Sequence, residues 1–251
     1  MSAHGTDLAS LRPEWPAPPG VRAAFTLRTG GVSARPYETL NVGAHVGDRP
    51  EDVRANRERV RAVLGLPSEP AWLEQVHGTD VVEIGPHTDI SSCSADAAIA
   101  LEPGAVAVVQ VADCLPVLFA SVNGSCVAAA HAGWRGLAAG VLERTVARLA
   151  LDPAQLLAWI GPGISAAHFE VGAEVRAAFL TRDADAAQAF APNSRGRWQC
   201  DLAMLAKLRL RKAGLTHIFG GHWCTYEDRK RFFSFRRDGR CGRMAALIWR
   251  G

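Results

Sequence analysis

The sequence lacks the features that mark secreted, membrane and repeat proteins. Its six cysteines form no CxxC pair, and no apolar run approaches the roughly 18 residues that a membrane span needs. The opening residues MSAHGTDLAS contain neither the basic segment nor the apolar core of a secretion signal. We therefore expect a cytoplasmic protein with reduced thiols and no membrane partner.

Internal repeats and long low-complexity segments are also missing. The chain has 251 residues, of which 48% are hydrophobic, so it can bury a large core as one large domain or two small ones. The segment Pro13–Gly20, PEWPAPPG, indicates an extended lead-in. The net charge of +3 does not by itself imply nucleic acid.

Basic residues do cluster near the carboxyl end, between Arg229 and Arg243, and phenylalanines are interleaved with them. A nucleic-acid surface would need such a stripe. However, acidic residues interrupt the charge, and the spacing of Phe232, Phe233 and Phe235 favours a strand. We therefore expect no nucleic-acid partner.

Apolar runs in the middle of the chain predict buried strands with polar residues at their ends. The runs are Val106–Ala112, Leu115–Ala120 and Ser125–Ala130. Cys114 follows the first run and His131 follows the third. Both residues therefore lie where the chain changes direction, and a rigid sheet can present polar chemistry there.

A third candidate is His77, at the end of the segment Trp72–His77. Its apolar and polar residues do not sort into two faces, which is typical of a strand that borders a site or an interface. Gly78-Thr79 predicts a turn after it, with Val81-Val82 returning as the partner strand. A histidine alone is weak evidence, since structural histidines are commoner than ligands.

Taken together, His77, Cys114 and His131 suggest a metal site. Zinc favours imidazole and thiolate ligands, and a catalytic zinc has three protein ligands and one open position. An open zinc lowers the pKa of a bound water to about 7. Their spacing matches no compact zinc motif, so a hydrolase with Cys114 as thiolate nucleophile and a histidine as base stays open.

Helix signals surround these runs. Asp48 as the cap and Pro50 in the first turn predict one helix start. An apolar stripe from Leu137 to Leu149 predicts a single helix after Gly133. Asp201–Ala213 is a further helix, with glycine as its stop.

Nine segments of the sequence resemble the YfiH-like family, also labelled the laccase or multicopper polyphenol oxidase domain. The likeness runs in order from about Trp15 to Trp249. The segments are NVGAHVGD (41–48), WLEQVHG (72–78), VADCLPVLF (111–119), AAAHAGWRG (128–136), IGPGI (160–164), FEVG (169–172), CTYED (224–228), FFSFRRDG (232–239) and GRMAALIW (242–249).

This resemblance implies a single α/β domain with a mixed sheet flanked by helices, which we place at residues 21–251 after a lead-in at 1–20. It implies zinc held by the histidine of QVHG, the cysteine of ADC and the histidine of HAGW. Those residues are His77, Cys114 and His131. It also implies a purine nucleoside phosphorylase that splits adenosine, inosine and S-methyl-5'-thioadenosine with phosphate, and deaminates adenosine. Members of the family are monomers or homodimers.

Phosphorolysis requires an anion site for phosphate and polar contacts for the nucleoside. Guanidinium groups bind phosphate in a bidentate manner. The candidate phosphate ligands are Arg28, Arg57, Arg135 and Arg236, with Arg135 and Arg236 preferred. The candidate contacts to ribose, to base or to the histidine ligands are Asn41, His45 and Gln75.

Two other functions stay open. A copper-dependent polyphenol oxidase would need a copper site, yet a multicopper cluster needs many more histidines than the eight present, none in an HxH motif. A hydrolase that edits a peptidoglycan precursor would use Cys114.

The sequence departs from the family pattern at two places. Phe235 stands where the family usually has Tyr, and His222-Trp223 stands where it usually has Asp-Arg, so the substrate preference is open to change.

Overall fold

The computed structural model describes residues 10–89 and 93–251. Residues 1–9 of the predicted lead-in lie outside this range. The strands are β1 (Ser10–Leu11), β2 (Val21–Thr26), β3 (Val81–Ile84), β4 (Ala97–Ala100), β5 (Val106–Val111), β6 (Leu115–Ser121), β7 (Val127–Ala132), β8 (Leu156–Ile160), β9 (Glu170–Val171), β10 (Phe190–Pro192), β11 (Trp198–Cys200), β12 (His217–Gly220) and β13 (Met244–Arg250).

Six α-helices and three short 3-10 segments accompany these strands in the described ranges. The helices are α1 (Pro50–Leu64), α2 (Trp134–Ala139), α3 (Val141–Leu149), α4 (Ala173–Leu180), α5 (Leu202–Lys212) and α6 (Phe235–Asp238). The 3-10 segments are Ala44–Val46, Pro153–Gln155 and Ala184–Ala189.

The larger sheet has six strands in the order β12-β8-β6-β7-β4-β3. Its central pairs are antiparallel, while β12 with β8 and β3 with β4 are parallel, so the sheet is mixed. Strands β4, β6, β7 and β8 are fully buried. This burial explains why their sequences are nearly continuous apolar runs.

A second sheet has four antiparallel strands in the order β1-β2-β13-β5. It stacks on the larger sheet, because Phe25 and Ile248 share one apolar cluster with Leu118 and Val127. On its other face, Val106 and other strand residues share a cluster with residues of α1. The remaining face of the six-stranded sheet is covered by helices α2 to α5. The α/β fold with a mixed sheet and flanking helices is therefore confirmed.

Several local predictions were wrong. Within residues 72–77 only Glu74 forms an isolated bridge, to Ser94, and the preceding Ala71 forms another to Ala107. Strand β3 pairs in parallel with β4 rather than with this segment. The mixed pattern of residues 72–77 reflects a loop fixed by side-chain bonds. The predicted phenylalanine strand is also absent: Phe232 and Phe233 are buried in a segment without regular secondary structure, and Phe235 begins α6.

Two helix boundaries also differ from the prediction. Arg49, not Asp48, is the residue before α1, because the Asp48 carboxylate accepts hydrogen bonds from Ser33 and Asn41 instead. The apolar stripe after Gly133 is divided into α2 and α3 at Gly140, whose φ of 104° lies in the left-handed region.

None of the helices in the described part of the chain is long and apolar enough to cross a membrane.

Candidate metal centre and adjoining cavity

Cys114 lies at the junction of β5 and β6, in a tight turn. The preceding residue, Asp113, has φ of 92°, which is rare for a residue with a side chain. Its buried carboxylate accepts hydrogen bonds from the Thr225 hydroxyl and from the backbone N–H of Arg236, both at 2.6 Å. These bonds hold the turn that presents the thiol.

His131 is the second-last residue of β7 and lies opposite Pro116 of β6. Its side chain is buried, and its Nδ1 lies 2.8 Å from the Asp96 carboxylate. Since a carboxylate accepts, Nδ1 carries the proton, and the Nε2 lone pair is left for a ligand.

His77 comes from the loop between Trp72 and β3, and its φ is 60°. The same Asp96 carboxylate accepts the backbone N–H groups of Val76, His77 and Gly78, at 3.2, 3.0 and 2.6 Å. One buried acid therefore fixes both the ring of His131 and the loop that carries His77.

The three predicted ligands meet in space. The thiol of Cys114 and one ring nitrogen from each of His77 and His131 all lie within 4.8 Å of one another. Cys114 Sγ is 3.8 Å from His77 Nε2, and the two rings meet edge to face. Two imidazoles and one thiol at these separations fit a tetrahedral metal ion with one open position. The donor set also suits copper, so it does not identify the metal.

Cys114 and His131 shift each other's pKa toward the charged forms. Burial alone would raise the pKa of Cys114, but the neighbouring His131 and His77 lower it below the usual thiol range. Burial likewise opposes the charged form of His131, while Cys114 and Asp96 raise its pKa above the usual range. The thiol is therefore readily available as a thiolate, the form that binds metal.

A small cavity of about 130 Å³ adjoins Cys114. Trp134, Phe169 and Phe235 contribute aromatic rings to its lining, and Arg236 contributes a guanidinium. An apolar cavity with a few polar groups next to reactive residues is the usual form of a small-molecule site.

Arg135 and Arg236, the preferred phosphate ligands, occupy different positions. Arg236 lines the cavity, donates to the backbone oxygen of Glu170 at 2.9 Å and lies over the ring of Phe169. Both side chains are exposed, but Arg135 does not line the cavity, and its guanidinium stacks on Trp134, 4.5 Å from the ring centre. The cavity therefore favours Arg236.

The remaining predicted contacts have different surroundings. Asn41 is fully buried, and its amide binds Gly43, Asp48 and the backbone N–H of Arg243. Gln75 exchanges two hydrogen bonds with the backbone of Gln110. Both side chains therefore support loops, and the partner of His131 is Asp96 rather than either amide.

His45 lies in the first 3-10 segment and is exposed. Its pKa is lowered, first by partial burial and then by the positive charges of Arg243 and Arg57. His131 and His77 lower it in the same direction, with smaller effects.

Asp96 and Asp113 are the residues that sequence reasoning missed. Asp113 stands beside Cys114 in the ADC segment, so its position was a usable signal. Asp96 directly precedes the apolar strand Ala97–Ala100. An acid before such a strand is a weaker signal, because most acids at strand ends are solvated.

Comparisons with known proteins agree with this fold. A Neisseria meningitidis crystal structure, assigned to the family model DUF152, superposes with a TM-score of 0.92 at 47% identity, covering 96% of this chain and 98% of its own. YlmD of Geobacillus stearothermophilus gives a TM-score of 0.86 at 31% identity, covering 96% of both chains.

Relatives with names that state an activity are similar over nearly their whole length. The Escherichia coli K12 protein named purine nucleoside phosphorylase YfiH is 52% identical, over 94% of this chain and 97% of its own. A Pseudomonas aeruginosa protein, also named a purine nucleoside phosphorylase, is 49% identical over 96% and 98%.

The fold and the thiol–imidazole cluster define an α/β protein with a candidate metal centre. A family model described as multi-copper polyphenol oxidoreductase laccase matches residues 22–251. This chain therefore belongs to that family, which is the YfiH-like family that its nine sequence segments resemble.

Proposed function

We propose that this protein is a zinc-dependent purine nucleoside phosphorylase that also deaminates adenosine. Its substrates would be adenosine, inosine and S-methyl-5'-thioadenosine, each cleaved with phosphate to a free base and a sugar 1-phosphate. The observation that carries the proposal is the cluster of His77, Cys114 and His131 beside a cavity with aromatic walls. The names of relatives about half identical to this chain support the reaction class.

The cavity suits the base rather than the whole nucleoside. Its volume of about 130 Å³ is below the roughly 300–1,000 Å³ of typical small-molecule sites. The rings of Trp134, Phe169 and Phe235 line the cavity, so a purine there would make aromatic contacts, which contribute about 0.5–1.5 kcal/mol beyond area burial. The ribose and phosphate would then lie in the open part of the site, near Cys114.

Arg236 would bind the phosphate. Its backbone N–H is fixed by Asp113 and its guanidinium is oriented by Glu170 and Phe169, so little side-chain freedom is lost on binding. Phosphorolysis exchanges the bond from the sugar to the base for a bond to phosphate, and a positioned guanidinium both holds phosphate and offsets its charge.

His77, Cys114 and His131 would hold zinc, with Asp96 fixing the ring of His131. A zinc bound there supplies a Lewis acid that activates water at neutral pH, which is the chemistry that deamination needs. The protein residues supply the rest: the thiolate and two neutral imidazoles complete the ligand set, and the apolar cavity excludes bulk water from the base.

The test is product analysis with adenosine, with and without phosphate. We expect adenine and ribose 1-phosphate only when phosphate is present, and inosine in both conditions. Cys114→Ser, which removes a ligand, should lose both products, while Cys93→Ser, which changes a cysteine outside the cluster, should keep them.

Two outcomes would contradict the proposal. Turnover of a phenol by the copper-loaded protein, without turnover of any of the three nucleosides, would favour the oxidase that the family description names. No turnover of nucleosides or phenols by a zinc-loaded protein would favour the peptidoglycan-precursor hydrolase based on Cys114.

A further inference from the structure

A second group of potential metal ligands lies outside the site described above. His168, Cys224 and Glu227 each offer one ligand atom, and these atoms all lie within 4.8 Å of one another. His168 Nε2 is 3.1 Å from Glu227 Oε1. Cys224 is buried, His168 is half-buried and Glu227 is exposed, so the group forms a site at the protein surface with a buried sulfur.

Two chain segments bring these residues together. Gly163, which follows β8, forms a parallel bridge with Cys224, and Thr225 donates its backbone N–H to the Gly163 oxygen at 2.9 Å. His168 lies on the loop that continues from Gly163. Its ring stacks on Tyr226 with centroids 4.2 Å apart and planes 13° from parallel. The stacking fixes the imidazole before any ligand binds.

The sulfur of Cys224 is already placed as an acceptor. The backbone N–H of Ser165 donates to Cys224 Sγ at 3.4 Å, so the sulfur is held in a fixed position. The Ser165 hydroxyl oxygen is buried and has no hydrogen-bond partner among the described residues. Polar atoms of this kind are rare unless a ligand or water completes them.

The donor set selects a class of metal. Imidazole nitrogen, thiolate and carboxylate oxygen are the three donor types that zinc accepts, at about 2.0–2.3 Å from the ion. In a tetrahedron with those bond lengths, neighbouring donor atoms lie roughly 3.5 Å apart. The 3.1 Å between His168 and Glu227 is close to that separation. A calcium or magnesium ion would instead require oxygen ligands.

We propose that His168, Cys224 and Glu227 form a second site for a divalent zinc-like ion, distinct from the cluster around Cys114. The ion fastens the loop 163–169 to the turn 224–227. Ile164 and Phe169 of this loop line the cavity beside Cys114. Thr225 of the turn donates to Asp113, the residue before Cys114. The second ion therefore stabilises the cavity wall rather than taking part in the reaction.

The test is the number of zinc ions bound per chain, measured by elemental analysis after dialysis against buffered free zinc. The full chain is compared with Cys114→Ser, Cys224→Ser, the double variant and Cys93→Ser. We expect two ions for the unmodified chain and for Cys93→Ser, one for each single ligand variant and none for the double variant. One ion in the unmodified chain and in Cys224→Ser would overturn the proposal.

Cobalt gives a second readout, since a thiolate bound to Co²⁺ produces a near-ultraviolet charge-transfer band. In Cys114→Ser, any such band reports the second site alone. We expect it to disappear when His168→Ala is added, with gel filtration showing that both proteins remain folded. A band that is absent from Cys114→Ser, or that survives loss of His168, would contradict the assignment.

Discussion

Asp96 and His131 are joined by a buried hydrogen bond of 2.8 Å between a carboxylate oxygen and Nδ1. The same carboxylate also binds the backbone of the loop that carries His77. Burial would raise the pKa of Asp96, but the bonds from His131 and the backbone lower it, so the acid is charged at neutral pH. A single anion thus positions two of the three metal ligands.

Replacing Asp96 with Asn should weaken both metal binding and stability. An amide has one accepting oxygen, so its nitrogen would face N–H donors that the carboxylate now satisfies. We expect zinc affinity to fall about 10–100-fold, the usual effect of removing a partner of a metal-bound histidine. The free energy of unfolding of the metal-free protein should fall by about 2–4 kcal/mol.

The control for this prediction is Asp80→Asn. Asp80 makes an exposed ion pair with Arg144, at 3.6 Å. Such pairs contribute about 0–1 kcal/mol, so zinc affinity and the denaturation midpoint should both stay near those of the unmodified chain. Equal behaviour of the two variants would contradict the role given to Asp96.

Gly133→Ala should block the metal centre by steric contact alone. A Cβ at this position would lie 2.7 Å from His77 Cδ2 and 3.0 Å from Cys114 Sγ. The φ of Gly133 is −66°, which alanine adopts without strain. The two ligand side chains must therefore move apart, and we expect at least a tenfold loss of zinc affinity in a competition titration.

Gly85→Ala is the matched control, because its new methyl group would have only ordinary contacts of 3.4 Å with Glu102 and Thr88. Zinc affinity should be unchanged in that variant. Full zinc affinity in Gly133→Ala would contradict this prediction. It would show that the side chains of His77 and Cys114 lie farther from residue 133 in the metal-bound protein than in this structure.

Arg236→Ala should raise the KM for phosphate more than it lowers kcat. The side chain lines the cavity, while the bond from its backbone N–H to Asp113 is retained after truncation. Loss of one charge-assisted contact, worth about 1.5–3 kcal/mol, corresponds to a roughly 10–100-fold increase in the KM for phosphate. Steady-state kinetics with phosphate as the varied substrate measure the change.

Arg135→Ala serves as the comparison, because its exposed guanidinium stacks on Trp134 but does not itself line the cavity. We expect a smaller change in the KM for phosphate there. A larger change in Arg135→Ala than in Arg236→Ala would assign phosphate binding to the start of α2 instead.

Cys200 should make stability depend on pH in the alkaline range. Burial, and next the charge of Asp201, raise the pKa of this thiol to about 12, against about 8.5 in an unfolded chain. Since the folded pKa is the higher one, the stabilisation is complete below about pH 8.5 and is lost as pH rises toward 12. The free energy of unfolding should therefore fall by up to about 1.4 kcal/mol per pH unit more than in Cys200→Ala.

Urea denaturation at several pH values from 8 to 10.5 measures this difference. Val146→Ala removes buried apolar volume without removing a titrating group, so its pH dependence should match that of the unmodified chain. Parallel curves for Cys200→Ala and the unmodified chain would show that this thiol does not contribute.

The buried strands were predictable because apolar runs and their turns are local signals. Val106–Val111, Leu115–Ser121 and Val127–Ala132 lie close to their predicted ranges, and the positions of Cys114 and His131 follow from them. The loop that carries His77 could not be predicted in this way, because its conformation depends on Asp96, which is distant in sequence. A contact of this kind leaves no periodic pattern.

The same reason explains the errors near the carboxyl end. Phe232, Phe233 and Phe235 alternate enough to suggest a strand. The irregular backbone here is instead held by Arg237, which donates to the backbone oxygens of Phe232, Thr225 and Tyr226. Tertiary hydrogen bonds overrode the local pattern. The preferred phosphate ligand among the candidate arginines could not be predicted from local sequence either, because the preference depends on which side chain lines the cavity.

The position of β13 has a consequence for synthesis on the ribosome. This strand, residues 244–250, lies between β2 and β5 and pairs with both. The sheet therefore cannot close until residues 244–250 have been translated, although all three metal ligands, the last of them His131, have emerged long before. The nascent chain must keep the edges of β2 and β5 from pairing with other chains during that interval.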